Sequence, residues 1–157
     1  MAGLCGQRCV KVWVEEFNLT NKKFDDPAID WGYTVTLNDG DPIAIMRRKD
    51  RDKYLAFQGV VTFAPEHLAI FQKLSPAQQQ RLADRLAMQL AQRGMTFTFT
   101  LSQSSPGFAV STRVPITPTL TEDEVMQKLD QVDDAMISGR VVIRQFLEDI
   151  AAVVKQP

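Results

Sequence analysis

Residues 31–48 read Trp31-Gly32-Tyr33-Thr34-Val35-Thr36-Leu37, then Asn38-Asp39-Gly40-Asp41-Pro42, then Ile43-Ala44-Ile45-Met46-Arg47-Arg48, and the fold turns on this stretch. Trp31, Tyr33, Val35 and Leu37 alternate with Gly32, Thr34 and Thr36. A period of two places the bulky aromatic and β-branched groups on one face, as in a half-buried strand. Asn38, Asp39 and Gly40 tolerate positive φ, and Pro42 cannot continue a central ladder, so the stretch closes as a hairpin with Ile43–Arg48 as its return strand.

Downstream, Lys49–Asp52 is a charged turn, and Leu55, Phe57 and Val61 carry a third strand over Lys53–Phe63. Three consecutive strands make an antiparallel meander. Ala64-Pro65-Glu66 opens a helix with Leu68, Phe71 and Leu74 spaced by three. Ser75-Pro76 restarts it, because serine caps a helix and proline fits its first position. Leu82, Leu86 and Leu90 draw an apolar stripe, and Gly94 stands where a left-handed C-terminal cap belongs. Met95, Phe97, Phe99 and Leu101 alternate with threonines, a fourth strand, and after a turn over Ser102–Gly107 the residues Phe108, Val110, Thr112 and Val114 form a fifth.

Both ends of the chain read as helix. Thr121 with Glu124 is a capping box, and Val125, Leu129, Val132, Met136, Phe146, Leu147 and Ile150 carry a helical period onward. Gly139 costs such a helix about 1 kcal/mol relative to alanine, so it kinks or splits the helix unless packing requires it. Upstream, Val10, Trp13, Val14 and Phe17 recur at helical spacing over Gly6–Asn18, and the polar Leu19–Ile29 reads as a connecting loop. The expected order is α-β-β-β-α-β-β-α, an α+β fold in which residues 1–157 form a single domain.

Composition excludes more than it assigns. The 157 residues carry 18 Lys plus Arg against 19 Asp plus Glu, a formal net charge of -1 that exerts no bulk pull on nucleic acid or an anionic membrane. Cys5 and Cys9 lie four apart, where helical geometry rarely lets a bridge form, so two reduced thiols are expected. No window approaches the roughly 18 apolar residues of a membrane span, and Met1–Val10 lacks the apolar core of a signal peptide. A soluble cytoplasmic protein is the expectation.

The chemistry-bearing motifs are mostly missing. Neither GxxxxGK[ST] nor GxGxxG nor GxSxG occurs. His67 is the sole histidine, which leaves zinc without its ligands and reads as an exposed or cap-adjacent residue in the first turn of a helix. Asp39-Gly40-Asp41 lacks the order of a calcium loop and is explained by the hairpin turn. Glu122, Asp123, Glu124, Asp130, Asp133 and Asp134 suit the positive end of a helix dipole. Arg47, Arg48, Lys49, Arg51 and Lys53, interrupted by Asp50 and Asp52, read as a charged hairpin tip that keeps a sheet edge soluble. No catalytic residue, metal site or cofactor is expected.

What remains is apolar surface. Trp13, Val14 and Phe17 at one end, with Phe146, Leu147, Ile150 and Val154 at the other, are buried within the subunit, against a second copy or against a client. The element order resembles the type III secretion chaperone-like fold, which also occurs in YbjN-like bacterial families. That resemblance implies a five-stranded, strongly bent antiparallel sheet with packed helices, often a homodimer, and a role in binding another polypeptide without catalysis. The expected function is therefore a non-catalytic protein-interaction or chaperone-like module, with Trp13, Phe17, Trp31, Tyr33, Phe146 and Ile150 as binding residues. The alternative is a small-ligand binder or an enzyme with a pocket on the concave sheet face, lined by Trp31, Tyr33, Phe97 and Phe99. Converging polar groups at one apolar cavity favour a ligand site; an exposed apolar groove favours the chaperone-like module.

Overall fold

The computed structural model describes residues 2–16, 20–23, 25–37, 40–100 and 106–154, and the account below is confined to them. Its elements are α1 (Ala2–Glu16), β1 (Thr20–Lys23), β2 (Ile29–Thr36), β3 (Pro42–Arg48), a 3-10 turn at Lys49–Arg51, β4 (Tyr54–Thr62), α2 (Pro65–Phe71), α3 (Pro76–Ala91), β5 (Thr96–Thr100), β6 (Gly107–Pro115) and α4 (Glu122–Val154). The fold is α+β, and the five expected strands and four helical segments occur in the expected order.

A sixth strand corrects the reading of Leu19–Ile29 as a loop. Thr20, Asn21, Lys22 and Lys23 pair antiparallel with Thr36, Val35, Thr34 and Tyr33, so β1 is an edge strand and the strand order is β1-β2-β3-β4-β6-β5. A polar edge strand carries no alternation to announce it, because its formation depends on the open ladder of β2.

The chain divides into two compact units, residues 1–59 with 111–133 and residues 60–110 with 134–157. In the first, β2 and β3 pair antiparallel with Val35 opposite Ile43 and Tyr33 opposite Ile45, and Ile45 in turn lies opposite Phe57 of β4. These positions share one face of the pleat, and all five side chains are buried. Val10 and Val14 of α1 and Val125, Leu129 and Val132 of α4 are buried in the same unit. Pro42 begins β3, the position in a strand where a missing N–H costs least. At the start of α4, Thr121 N–H donates to Glu124 Oε2 at 2.8 Å and Glu124 N–H donates to Thr121 Oγ1 at 3.3 Å, closing the capping box.

In the second unit the capping box of α3 joins Ser75 and Gln78, with Ser75 N–H donating to Gln78 Oε1 at 2.9 Å. The helix ends in paired bonds from Gly94 N–H to Ala91 O and from Met95 N–H to Leu90 O, with Gly94 at φ 68°. That left-handed residue makes the reversal cheap for glycine and costly for any other side chain. Leu82, Leu86 and Leu90 are fully buried, and Phe63, Phe71, Phe97, Phe99 and Phe108 form a chain of ring contacts with centroids 4.9–6.3 Å apart.

Gly139 neither kinks nor splits the last helix, which runs unbroken from Glu122 to Val154. A Cβ built there would collide with the Phe108 ring, at 2.8 Å from Cε2 and 3.0 Å from Cε1 and closer still to Cζ. Glycine is retained because β6 and α4 approach too closely for a methyl group, the packing requirement that offsets its poor helix propensity.

Cys9 is disulfide-bonded, and no free cysteine occurs among the described residues. This corrects the expectation of two reduced thiols. Spacing along an ideal helix states where Cβ atoms stand, whereas a bridge depends on how closely two sulfurs approach once their rotamers are chosen.

Candidate functional site

The second unit holds a cleft of about 350 Å³ between the end of β4 with the start of α2 and one face of α4. From the first side come Val61, Thr62, Phe63, Ala64 and His67; from α4 come Ile137, Arg140, Val141, Ile143 and Arg144. Local sequence explains both walls. Phe63 and Ala64 follow the last residue of β4, and Pro65 then starts α2, so the chain turns from strand to helix in two residues and brings His67 to the rim. On α4, Ile137, Arg140, Val141 and Arg144 fall at i, i+3, i+4 and i+7, one continuous face beside the buried row of Met136, Ile143 and Leu147.

The interior is apolar, and the charge at its rim has one sign. Val61 and Ile143 are buried, Phe63, Ala64, His67 and Val141 are half-buried, and Ile137 remains 50% exposed. Arg140 and Arg144 supply guanidinium groups one helical turn apart, and no carboxylate lines the cleft among the described residues. Planar guanidinium forks match carboxylates and phosphates bidentately, which a lysine ammonium does not. Thr62 provides the sole hydroxyl of the lining and His67 its sole imidazole.

Of the residues expected from sequence to bind, none of those described lines this cleft. Trp31 and Tyr33 are each 5% exposed, their rings packed at a centroid distance of 6.1 Å in the first unit's core. The indole Nε1 of Trp31 is buried with no hydrogen-bond partner among the described residues. Trp13 on α1 and Phe146 and Ile150 on α4 are half-buried, and Phe17 lies outside the described residues. Phe97 and Phe99, named for the alternative pocket, are half-buried in the ring chain of the second unit. From sequence, the lining arginines belong to a mixed apolar and cationic stripe on a helix, a pattern that reads as a solvated face. The helical spacing of Ile137, Arg140, Val141 and Arg144 is the signal the sequence offers.

At the basic hairpin tip Arg47 and Arg48 are ion-paired. Arg47 stands 3.5 Å from Asp30 and 3.9 Å from Asp52, and Arg48 bonds Asp50 at 2.9 Å. The Asp50 carboxyl is held below the usual aspartate range, first by the hydrogen bond from Arg48. Lys49 Nζ donates to Pro27 O at 2.8 Å. Among the described residues no group of three His, Cys, Asp or Glu side chains could hold a metal ion, and no helix is long and apolar enough to cross a membrane.

Two solved structures are similar. An uncharacterized protein from Methanothermobacter thermautotrophicus superposes at a TM-score of 0.79 and 18% identity, over 88% of this chain and 96% of that one. YbjN from E. coli superposes at a TM-score of 0.54 and 11% identity, over 85% of this chain and 90% of that one. At these identities the likeness is one of fold, and it includes the YbjN-like relation expected from element order. No curated protein matches the sequence. Residues 7–143 match the uncharacterized conserved proteins of DUF2299, and the chain belongs to that family.

Proposed function

We propose that this protein is a non-catalytic module that binds a segment of another polypeptide in the cleft of its second unit. The observation that carries this reading is the cleft itself, an apolar trough of about 350 Å³ with a half-exposed isoleucine at its mouth. A groove of this kind accepts apolar side chains from a partner and desolvates them, the main source of affinity at protein interfaces. The lining favours binding over catalysis. One histidine and one threonine hydroxyl, without a carboxylate to orient the imidazole, do not make the nucleophile, base and orienting group that covalent chemistry requires. The formal net charge of -1 supports a protein partner over a nucleic acid. The proposal keeps the cytoplasmic, homodimeric module expected from the sequence.

A photo-crosslinking amino acid at position 137 tests the reading in living cells. A discrete polypeptide adduct, lost when Val141→Asp is added, is the expected result. Crosslinks to no protein while a small molecule copurifies at unit stoichiometry would overturn it and favour the ligand-binding alternative.

A further inference from the structure

We propose that the open edge of β5 is where two copies of this chain meet, strand against strand across a two-fold axis; the proposal rests on the homodimeric reading above and names its interface. β5 ends the strand order β1-β2-β3-β4-β6-β5, so one of its sides has no strand beside it among the described residues. An unpaired strand edge is a template for another chain, and proteins that leave it unused place charge or proline there. The other edge strand follows that rule, since β1 ends in Lys22 and Lys23. β5 does not. Its residues are Thr96-Phe97-Thr98-Phe99-Thr100, and no charged residue occurs anywhere between Arg93 and Arg113.

The sequence of the strand selects the occupant. Thr-Phe-Thr-Phe-Thr reads the same in both directions, so two antiparallel copies centred on Thr98 match residue by residue. Thr98 meets its own copy on the axis, Thr96 stands opposite the second copy's Thr100, and Phe97 opposite its Phe99. Threonine against threonine and ring against ring are both favourable cross-strand pairs. A period of two puts Phe97 and Phe99 on one face, where they are half-buried in the chain of ring contacts with Phe63, Phe71 and Phe108, and the second copy's rings continue that chain. The threonines are exposed on the other face. No like charges are set against each other, because the two copies of Arg93 fall at opposite ends of the pair. A two-fold contact of this kind uses the open edge of both copies at once and closes, whereas β5 pairing head-to-tail with β1 would propagate.

Sedimentation velocity and cysteine crosslinking on the full chain test the contact. The native chain is expected to sediment as a dimer. Thr98→Lys, at an exposed position, sets two ammonium groups face to face on the axis and is expected to raise the dissociation constant at least tenfold while circular dichroism stays that of the native chain. Crosslinks read the register. In Thr98→Cys two thiols stand directly opposite, within the ~4.4–6.8 Å Cα separation that a disulfide allows, and a dimer band absent from the native chain is expected on non-reducing electrophoresis. Thr96→Cys alone is expected to give none, since its two copies stand four residues apart along the pair, about 13 Å, whereas mixing it with Thr100→Cys restores the band. A dimer that Thr98→Lys leaves at native strength, or one in which Thr98→Cys yields no crosslink, overturns this contact and leaves the homodimeric reading standing. A native chain that sediments as a monomer overturns both. If that monomer binds a labelled Val-Thr-Val-Thr-Val peptide and Thr98→Lys abolishes the binding, the edge serves a foreign strand and the second copy is refuted as its occupant.

Discussion

Gly139→Ala should weaken the second unit although it replaces the poorer helix former with the best one. In an exposed helix interior the change gains about 1 kcal/mol. Here the new methyl would stand 2.8 Å from Cε2 and 3.0 Å from Cε1 of Phe108, with Cζ closer. The ring cannot swing aside, because Phe108 is 1% exposed and packs against Phe97 at a centroid distance of 6.2 Å. Overpacking of this kind costs typically ~1–3 kcal/mol, so the net loss is on the order of 1 kcal/mol, or a fall in Tm of roughly 2–4 °C for a chain of this size. Urea unfolding of four proteins reads it out: native, Gly139→Ala, Phe108→Leu and the double variant. Leucine lacks the ring atoms that collide, so in the Phe108→Leu background the alanine should recover its propensity gain. The expected coupling is about 2 kcal/mol in the sense that the double variant is more stable than additivity predicts. A higher urea midpoint for Gly139→Ala in the native background, with unchanged denaturant slope, would refute the packing argument.

The helix caps and the hairpin tip give further expectations. Ser75→Ala and Thr121→Ala should each lower stability by about 1 kcal/mol, since each removes a side-chain acceptor for a backbone N–H in the first helical turn; thermal melts indistinguishable from the native chain would show these boxes to be without consequence. At the hairpin tip, Arg48→Ala should move the Asp50 carboxyl up toward its ordinary range, because the Arg48 hydrogen bond is the leading cause of its depression. A lowered carboxyl pKa makes the pair's stabilisation complete above the range where a free aspartate titrates, and that stabilisation is lost as pH falls through the lowered value. Carboxyl-carbon NMR titration of both proteins measures this, and an unmoved Asp50 midpoint would contradict it.

Much of this architecture is legible without coordinates because its determinants are local. Alternation over residues 31–37 and 95–101 announces strands, and capping residues at Ser75 and Thr121 mark helix starts through bonds only three residues long. Binding sites are less legible. Trp31 and Tyr33 stand out in the sequence as large aromatics, yet size is also what makes a residue valuable in a core, and both are buried there.

Period, caps and turn chemistry thus determined from sequence alone that the chain is α+β, and placed its helices and five of the six described strands in order. Tertiary structure decided what depends on partners distant in sequence. Thr20–Lys23 becomes a strand because β2 offers it an open edge, and α4 runs through Gly139 because Phe108 occupies the space a methyl would take. Arg140 and Arg144 become the rim of a cleft because residues 61–67 stand opposite them. A local pattern records how a segment satisfies its own backbone and which face it buries; it cannot record which other segment will meet that face.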